Sequence, residues 1–219
     1  MTIIGVRDLF CFRDKRLENL RERISNSQAT LKDPHFLRKY GIDSRSIRLP
    51  AVMGLGAKTK NISLYNAWAI EKSFSGEPYE IFVRSETAAP IIYFKDAARA
   101  FLEISRAPAD HIKTMNYILA GVEPMPTAGD LKNTILHHLP QAQLTFRPDT
   151  LAMAFQKMNQ DVRWDETPAV REWNWKIKYS LDDMVKDFIR ELTDHPSWYI
   201  SEDRANPNLT RTIGWAILT

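Results

Sequence analysis

The sequence predicts an α/β fold with some parallel strand pairing. Short β-rich runs alternate with amphipathic helical segments along the chain, and no internal repeat or low-complexity tract interrupts this alternation. The glycines stand singly where elements should end, which favours a compact fold. With 219 residues, 44% of them hydrophobic and 26% charged, the chain is long enough for one large domain or two small ones.

Composition also excludes several classes of protein. The apolar runs are short and broken by charge, so no segment reaches the roughly 20 apolar residues of a membrane-spanning helix. The first residues lack the apolar stretch and cleavage site of a signal peptide. A single cysteine, Cys11, excludes an internal disulfide and a cysteine-rich metal site. These features predict a protein of the reducing cytoplasm.

The basic residues are concentrated at the start of the chain. Residues 1–48 contain 11 Lys and Arg against 6 Asp and Glu. The basic side chains alternate with Asp14, Glu18 and Glu22 instead of forming the stripe that a nucleic-acid surface needs. We therefore interpret this segment as a solvated helix face and expect no nucleic-acid partner.

The first elements follow from spacing and capping residues. Residues 14–25 carry apolar side chains at helical spacing, and residues 33–40 have a capping Asp, a first-turn Pro and a terminal Gly41. Residues 45–49 form a β-rich run that we expect to stop at Pro50. The helix predicted over 64–75 is closed by Gly76.

The same alternation continues through the middle of the chain. Strands are predicted at 79–83 and 91–94, followed by a helix that Asp96 can cap and that ends before Pro108. The next predicted strand covers 117–120.

Two capping signatures mark the remaining helices. Thr127 and Asp130 have capping-box spacing at the start of a helix that runs to Leu139, and a short strand is predicted at 144–146. Ser180 and Asp183 form a second such signature before a strongly amphipathic helix. These elements complete the predicted α/β pattern.

No motif in the chain indicates nucleotide or metal chemistry by itself. The nearest approach to a glycine-rich phosphate turn, Gly54-Leu-Gly56, lacks a third glycine and is typical of a plain loop. The adjacent His137 and His138 point about 100° apart on a helix and have no partner ligands at metal spacing. We expect one of them to be exposed and one packed, and we expect no metal. Cys11 is interpreted as a structural or incidental thiol, and the tryptophans Trp164, Trp173 and Trp175 as core or interface residues.

A series of segments in fixed order carries a family resemblance. They cover residues 40–50, 63–65, 86–96, 107–108, 116–120, 143–148 and 172–176. Across residues 38–192 the chain resembles the C-terminal half of the extended short-chain dehydrogenase/reductases, the NAD-dependent epimerase/dehydratase family. It is most similar to the short-chain threonine dehydrogenase branch of that family.

The resemblance implies a partial Rossmann-like sheet and a small α/β substrate-binding domain. Residues 45–49 and 117–120 resemble the last strands of the sheet, and most of residues 60–92 and 122–192 resemble the substrate domain. We expect a divergent basic helical segment at 1–37, the family-like part at 38–195 and an irregular tail at 196–219.

Several positions match residues that face ligands in the family. Pro50 matches the proline that lines the nicotinamide of NAD, and Ser63 and Tyr65 match a Thr and a Tyr that face the substrate. The loop beginning at Thr87 reads Thr-Ala-Ala-Pro where relatives have Thr-Arg-Leu-Pro. The resemblance therefore implies substrate contacts at Ser63, Tyr65 and Thr87 and a cofactor contact at Pro50.

The family's catalytic pair has no counterpart in the chain. The tyrosine and lysine of the family's Tyr-x-x-x-Lys motif would fall near Arg21 and Ser25, and neither residue can transfer the required proton. If the chain is catalytic, Tyr65 and Tyr93 are the candidates to shuttle the proton. NAD is implied by the resemblance, but we expect no cofactor for the chain alone.

Three functional hypotheses follow. The first is a truncated epimerase/dehydratase-family protein that keeps the substrate-binding half and lacks autonomous NAD chemistry. The others are a cofactor-free isomerase-like or cyclase-like enzyme that reuses the substrate cavity, and an active NAD-dependent oxidoreductase or epimerase with a rebuilt site. The expected ligand is a small polar or sugar-like molecule. Because a partial sheet exposes strand edges, two chains are expected to pair as a homodimer.

Overall fold

The computed structural model describes residues 8–12, 43–54, 65–160, 162 and 164–196. The strands of this part are β1 (Asp8–Phe12), β2 (Ser44–Arg48), β3 (Ala51–Met53), β4 (Tyr79–Ile81), β5 (Ile91–Tyr93), β6 (Asn116–Ile118) and β7 (Leu144–Phe146). Its helices are α1 (Tyr65–Phe74), α2 (Phe94–Arg106), α3 (Ala128–His138), α4 (Thr150–Gln160), α5 (Thr167–Trp173) and α6 (Leu181–Asp194).

The largest sheet has the strand order β1-β2-β6. β2 and β6 run parallel, with Ser46 opposite Asn116, whereas β1 runs antiparallel to β2, with Asp8 opposite Arg48. A parallel pair needs a long crossover connection, which α1 and α2 occupy here. The predicted α/β class with parallel pairing is confirmed.

Two smaller parallel pairs complete the strand pairing of the described residues. β3 pairs with β5, with Ala51 opposite Ile91, and β4 pairs with β7, with Tyr79 opposite Leu144. The β4–β7 pair belongs to the unit built from α1, α3 and α6, because α1 packs on β4 and on both of these helices. This unit corresponds to the predicted small α/β domain.

Two apolar clusters fill the interior. The first lies among β4, α1, α3 and α6 and includes the fully buried residues Ile70, Ile81 and Phe188. The second lies under the β2–β6 sheet and includes Ile47, Tyr117 and Trp175, each of which is 0% exposed. Trp173 belongs to this second cluster, so the interpretation of Trp173 and Trp175 as core residues is confirmed.

Both predicted capping boxes are present. Thr127 accepts from the backbone N–H of Asp130 while the Asp130 side chain accepts from Thr127, and Ser180 and Asp183 are related in the same way. Each box satisfies N–H groups that a helix start leaves without intrahelical partners. Gly76, just beyond α1, has a φ of 71°, as its predicted terminating role requires.

Several elements were not predicted. The strand β2 ends before Pro50, as expected, but a further strand, β3, begins immediately after the proline and pairs in a different sheet. The elements β1, α4 and α5 were not predicted either. The helices predicted over 14–25 and 33–40 and the tail beyond residue 196 lie outside the described residues, and the division into three segments stays a prediction.

The expectation that Asp96 caps α2 is wrong. The helix begins at Phe94 with Tyr93 at its N-cap, so Asp96 lies within the first turn. Its carboxylate is 0% exposed and accepts from the backbone N–H groups of Lys178 and Tyr179 and from the guanidinium of Arg99. Asp96 therefore joins the start of α2 to the segment that precedes α6.

The guanidinium of Arg99 strengthens the same junction. It donates to the Lys176 carbonyl at 2.6 Å and lies 4.4 Å from the centre of the Trp175 ring. This stacking is a cation–π contact, and it places the segment from Trp175 to Lys178 along α2. The Trp-containing motif of the sequence is therefore a packing element.

Arg45 is a second buried ionic group, and it comes from the basic first part of the chain. Only 2% of it is exposed. Its guanidinium donates to the carbonyls of Ile104 and Ala107 at the end of α2 and to both carboxylate oxygens of Asp43. A cation at a helix C-terminus satisfies carbonyls that have no intrahelical partner. The basic excess thus includes a structural residue.

A helix that could span a membrane does not occur in the part of the chain that the structure describes.

We expect Asp96→Asn to lower the free energy of unfolding by about 3 kcal/mol, because it removes a buried charge from donors that remain buried. Urea unfolding followed by circular dichroism measures this change. Glu103→Gln is the matched control: Glu103 also binds Arg99, at 2.7 Å, but is 35% exposed, so its loss should cost less than about 1 kcal/mol. Equal shifts in the two variants would contradict the role assigned to Asp96.

Candidate ligand-binding site

An open groove of about 800 Å³ lies beside the β4–β7 pair. This volume lies within the range of small-molecule sites, roughly 300–1,000 Å³. Glu80 and Thr145, which face each other across the two strands, are exposed on the groove side. The residues that line the groove are Pro78, Tyr79, Glu80, Phe82, Gln143, Thr145, Arg147, Pro148 and Asp149.

Backbone hydrogen bonds extend the strand pairing along the length of the groove. The N–H of Tyr79 donates to the Gln143 carbonyl at 2.9 Å. At the other end, the N–H of Arg147 donates to Ile81 and that of Asp149 to Phe82, both at 2.9 Å. Most of the lining residues therefore have a hydrogen-bonded backbone. This backbone holds their side chains in position even when no ligand is bound.

The charged side chains of the groove lie at its exposed rim. The Arg147 guanidinium is 3.2 Å from the Glu80 carboxylate, and these side chains are 77% and 58% exposed. The Asp149 carboxylate accepts from the N–H of Ala152 at 2.9 Å and so caps the start of α4. The groove thus offers a positively charged hydrogen-bond donor and negatively charged hydrogen-bond acceptors.

Aromatic rings form the inner wall. Phe82 packs edge-to-face against Tyr65, with ring centroids 5.9 Å apart and an interplanar angle of 78°. Burial raises the pKa of Tyr65, and burial together with Tyr65 raises the pKa of Tyr79. Both phenols therefore stay neutral at ordinary pH and act as apolar walls and neutral hydroxyls.

The described residues matched to family ligand positions do not line this groove. Tyr65 is 2% exposed, does not itself line the groove and packs against Phe82 of the groove wall. Thr87 is also 2% exposed; its hydroxyl lies 3.8 Å from the Met153 sulfur, and its carbonyl accepts from Ala128 at the start of α3. Their ligand roles stay predictions.

Pro50 lies at a tight backbone crossing. A Cβ on Gly121 would come within 3.2 Å of the Pro50 ring and 2.1 Å of the Ile91 carbonyl oxygen. Gly121 also has a φ of 88°, so only glycine fits this position. Pro50 is buried in this crossing, while Ser63 lies outside the described residues.

Tyr93 belongs to a buried ionic cluster between β5 and α6. Its hydroxyl donates to Asp187 at 2.9 Å, and Asp187 also accepts from Lys95 and Arg190. Lys95 donates in addition to Glu191 at 2.6 Å. Burial, the hydrogen bond to Asp187 and the nearby carboxylates raise the pKa of Tyr93. A proton shuttle needs the opposite shift, so this geometry favours a structural role.

Four of the six described helix starts do not fit the pyrophosphate of NAD. A phosphate site needs free N–H groups at a helix N-terminus and a glycine-rich approach. β5 runs directly into α2 through Tyr93 and Phe94 with no intervening glycine. Carboxylates already occupy the starts of three further helices, through Asp130 at α3, Asp149 at α4 and Asp183 at α6. We therefore derive no step through NAD.

The two histidines lie as the sequence suggested. His137 is exposed, whereas His138 is 19% exposed and lies 2.8 Å from Asp182 of α6. Within the described ranges, no three His, Cys, Asp or Glu side chains form a group that could hold a metal ion. The absence of a metal from the chain as a whole stays a prediction.

Sequence reasoning assigned no ligand role to any residue of the groove. The segment 143–148 is one of those that carry the family resemblance, and the resemblance gave it no ligand role. The available signal was the strand alternation: Glu80 and Thr145 are polar positions between inward-facing neighbours, and a cation and a carboxylate follow β7 directly. Strand pairing between β4 and β7 was needed to bring these signals together.

We expect the stability contributed by Asp187 to depend on pH. Burial alone would raise its pKa, but hydrogen bonds from Lys95 and Tyr93 and the charges of Lys95 and Arg190 outweigh burial and lower it. The stabilisation is therefore complete above the unfolded pKa of about 4 and is lost as the pH falls through the lower folded pKa.

The gap in unfolding free energy between the native chain and Asp187→Asn should accordingly narrow below about pH 4. Denaturant unfolding at a series of pH values measures the gap. Asp194→Asn, an exposed change on the same helix, is the control. A gap that stays constant through the acid range would show that Asp187 does not act through its charge.

Comparison with known proteins identifies homologues over most of the chain. No family model matches it. It is 24% identical over 163 residues to the mitochondrial L-threonine 3-dehydrogenase of Bos taurus, covering 74% of this chain and 43% of the relative. It is also 24% identical over 167 residues to an epimerase/dehydratase of Staphylococcus haemolyticus, covering 73% and 50%. The chain thus spans about half the length of these curated relatives.

A solved structure shares the fold and is more similar in sequence than the two curated relatives. The GalE-like L-threonine dehydrogenase from Cupriavidus necator, in its holo form, superposes with a TM-score of 0.61 and is 29% identical, over 71% of this chain and 49% of that one. The resemblance inferred from the sequence is confirmed. The homologues of this chain are L-threonine 3-dehydrogenases and epimerase/dehydratase-family proteins, and they match about 73% of its length. Its structural neighbours are Rossmann-like dehydrogenases.

Proposed function

We propose that the chain is a substrate-binding half of the epimerase/dehydratase type that binds a small polar molecule in the β4–β7 groove and has no NAD chemistry of its own. The observation that carries this proposal is the groove itself, where charged, amide and aromatic side chains converge on one hydrogen-bonded strand pair. The names of the L-threonine 3-dehydrogenase relatives indicate a small polar substrate, which supports this class of ligand.

The proposed lack of NAD chemistry is supported by two further features. The sequence contains neither a glycine-rich dinucleotide turn nor a Tyr-x-x-x-Lys pair. The candidate tyrosines Tyr65 and Tyr93 are buried and have raised pKa values, so neither is suited to accept a proton near neutral pH. The cytoplasmic location belongs to the same proposal and is supported by the single cysteine.

We expect the purified chain to bind no NADH. The tryptophans permit a direct test, because bound reduced nicotinamide quenches their emission by energy transfer, and a thermal shift gives a second readout. The expected result is no saturable change up to millimolar NADH or NAD⁺. Saturable binding at micromolar concentration would reject this part of the proposal and favour the NAD-dependent oxidoreductase hypothesis.

We expect a member of a panel of simple sugars and free amino acids to bind in the groove. Glu80→Ala and Arg147→Ala should each weaken that binding at least about tenfold, a change of 1.4 kcal/mol that loss of one charge-assisted hydrogen bond supplies. Isothermal titration calorimetry measures it. Glu77→Ala is the matched control, because Glu77 is 53% exposed, pairs with Lys72 and does not line the groove.

Failure of every panel member to bind would contradict the proposed ligand class. Binding that survives both groove substitutions would place the ligand elsewhere in the chain.

We also propose that two chains form a homodimer. β1 is the outer strand of its sheet in the described part of the chain, and two copies of one strand can pair antiparallel about a two-fold axis. Light scattering at micromolar concentration should give twice the mass of one chain. The mass of a single chain would overturn the dimer without affecting the proposal for the groove.

A further inference from the structure

We infer that the β4–β7 groove selects a polyhydroxylated ligand that carries an amino group and no phosphate, that is, a ligand of the amino-sugar class. This inference rests on the proposed function, since it specifies the chemistry of the molecule that the groove would bind. It follows from the balance of charge in the groove, from the hydrogen-bonding atoms that remain available there and from the aromatic wall.

The lining residues carry more negative than positive charge. Arg147 is the cation among them, and Glu80 and Asp149 are the anions. Arg147 is already paired with Glu80 at 3.2 Å. A phosphate on Arg147 would therefore displace that carboxylate or lie beside it, and Asp149, at the same end of the groove as Arg147, adds to the repulsion. The groove discriminates against doubly charged anions by repulsion as well as by lack of attraction.

Each carboxylate has one oxygen available for a ligand. Glu80 Oε2 accepts from Arg147, and Asp149 Oδ1 accepts from the backbone N–H of Ala152. Glu80 Oε1 and Asp149 Oδ2 have no donor among the described residues. Ligand hydroxyl and ammonium groups are donors of the right type for both oxygens. These atoms therefore favour a ligand that is rich in donors.

The remaining lining groups suit a ring that carries hydroxyls. Gln143 contributes an amide and Thr145 a hydroxyl, each of which can both donate and accept. Phe82, backed by Tyr65, offers an apolar face for the carbon side of a sugar ring. An ammonium group gains further from nearby aromatic faces through cation–π attraction. An amino sugar uses all three kinds of contact.

The test compares glucose with two probes that each differ from it in one substituent, glucosamine and glucose 6-phosphate. Titration calorimetry on the full chain at neutral pH and low salt should give the tightest binding for glucosamine, followed by glucose. Glucose 6-phosphate should bind at least about tenfold more weakly than glucosamine, because like-charge repulsion of about 1.4 kcal/mol suffices for that ratio. Raising the salt concentration should reduce the difference, since the groove is open to solvent.

A variant pair tests the source of the discrimination. Glu80→Gln keeps the size of the side chain and removes one negative charge, so it should reduce the preference for glucosamine over glucose 6-phosphate several-fold. Glu77→Gln is an equal change of charge outside the groove and should leave the preference as it is. Nuclear magnetic resonance spectra of both variants verify that the fold is unchanged.

The outcomes separate this inference from the proposed function. Binding of glucose 6-phosphate as tight as or tighter than that of glucosamine would overturn the inference and leave a polar-ligand groove intact. Binding of free amino acids alone, sensitive to the groove substitutions, would also overturn it while supporting the proposed function. Absence of binding for all sugars and all amino acids would reject both.

Discussion

The buried carboxylate of Asp96 is the contact on which the arrangement of the small α/β unit depends. A charge that is 0% exposed is tolerated only when protein donors replace water, and here backbone N–H groups of Lys178 and Tyr179 and the guanidinium of Arg99 do so. Those contacts hold the segment before α6 against the first turn of α2. Because α6 packs on α1 and α3, the position of the groove-bearing strands follows from the same junction.

A second set of ionic contacts also holds α6. Tyr93, Lys95 and Arg190 all donate to Asp187, so a single carboxylate joins the end of β5 to the middle of α6. Buried networks of this type are stable only when every member has a partner.

Much of the fold could be predicted from local signals. Short stretches of sequence predict the capping boxes at Thr127 and Ser180 and the terminating glycine after α1. Each of these features is present in the structure. Two of the elements that escaped prediction are short. α5 has only seven residues, and β1 is a five-residue strand whose partner strand lies more than 30 residues away. The prediction that Asp96 caps α2 was wrong because its carboxylate binds donors that are distant in sequence, the backbone N–H groups of Lys178 and Tyr179.

The candidate site was less predictable than the fold. The resemblance implies ligand roles for Pro50, Tyr65 and Thr87, and Tyr93 was a candidate for proton transfer; all four residues are buried. The groove depends instead on exposed side chains such as Glu80 and Arg147, which come together only because β4 pairs with β7. Exposed polar residues have weak local patterns, so their convergence is visible only once the strand pairing is known.

The parallel pairing of β4 with β7 also bears on how the molecule folds. Tyr79 and Leu144 are far apart in sequence, and β5, α2, β6 and α3 lie between the two strands. Closing such a long loop is slow, because the chain entropy is lost before the contacts that reward it are made. The groove therefore exists only in a chain whose distant strands β4 and β7 have already paired.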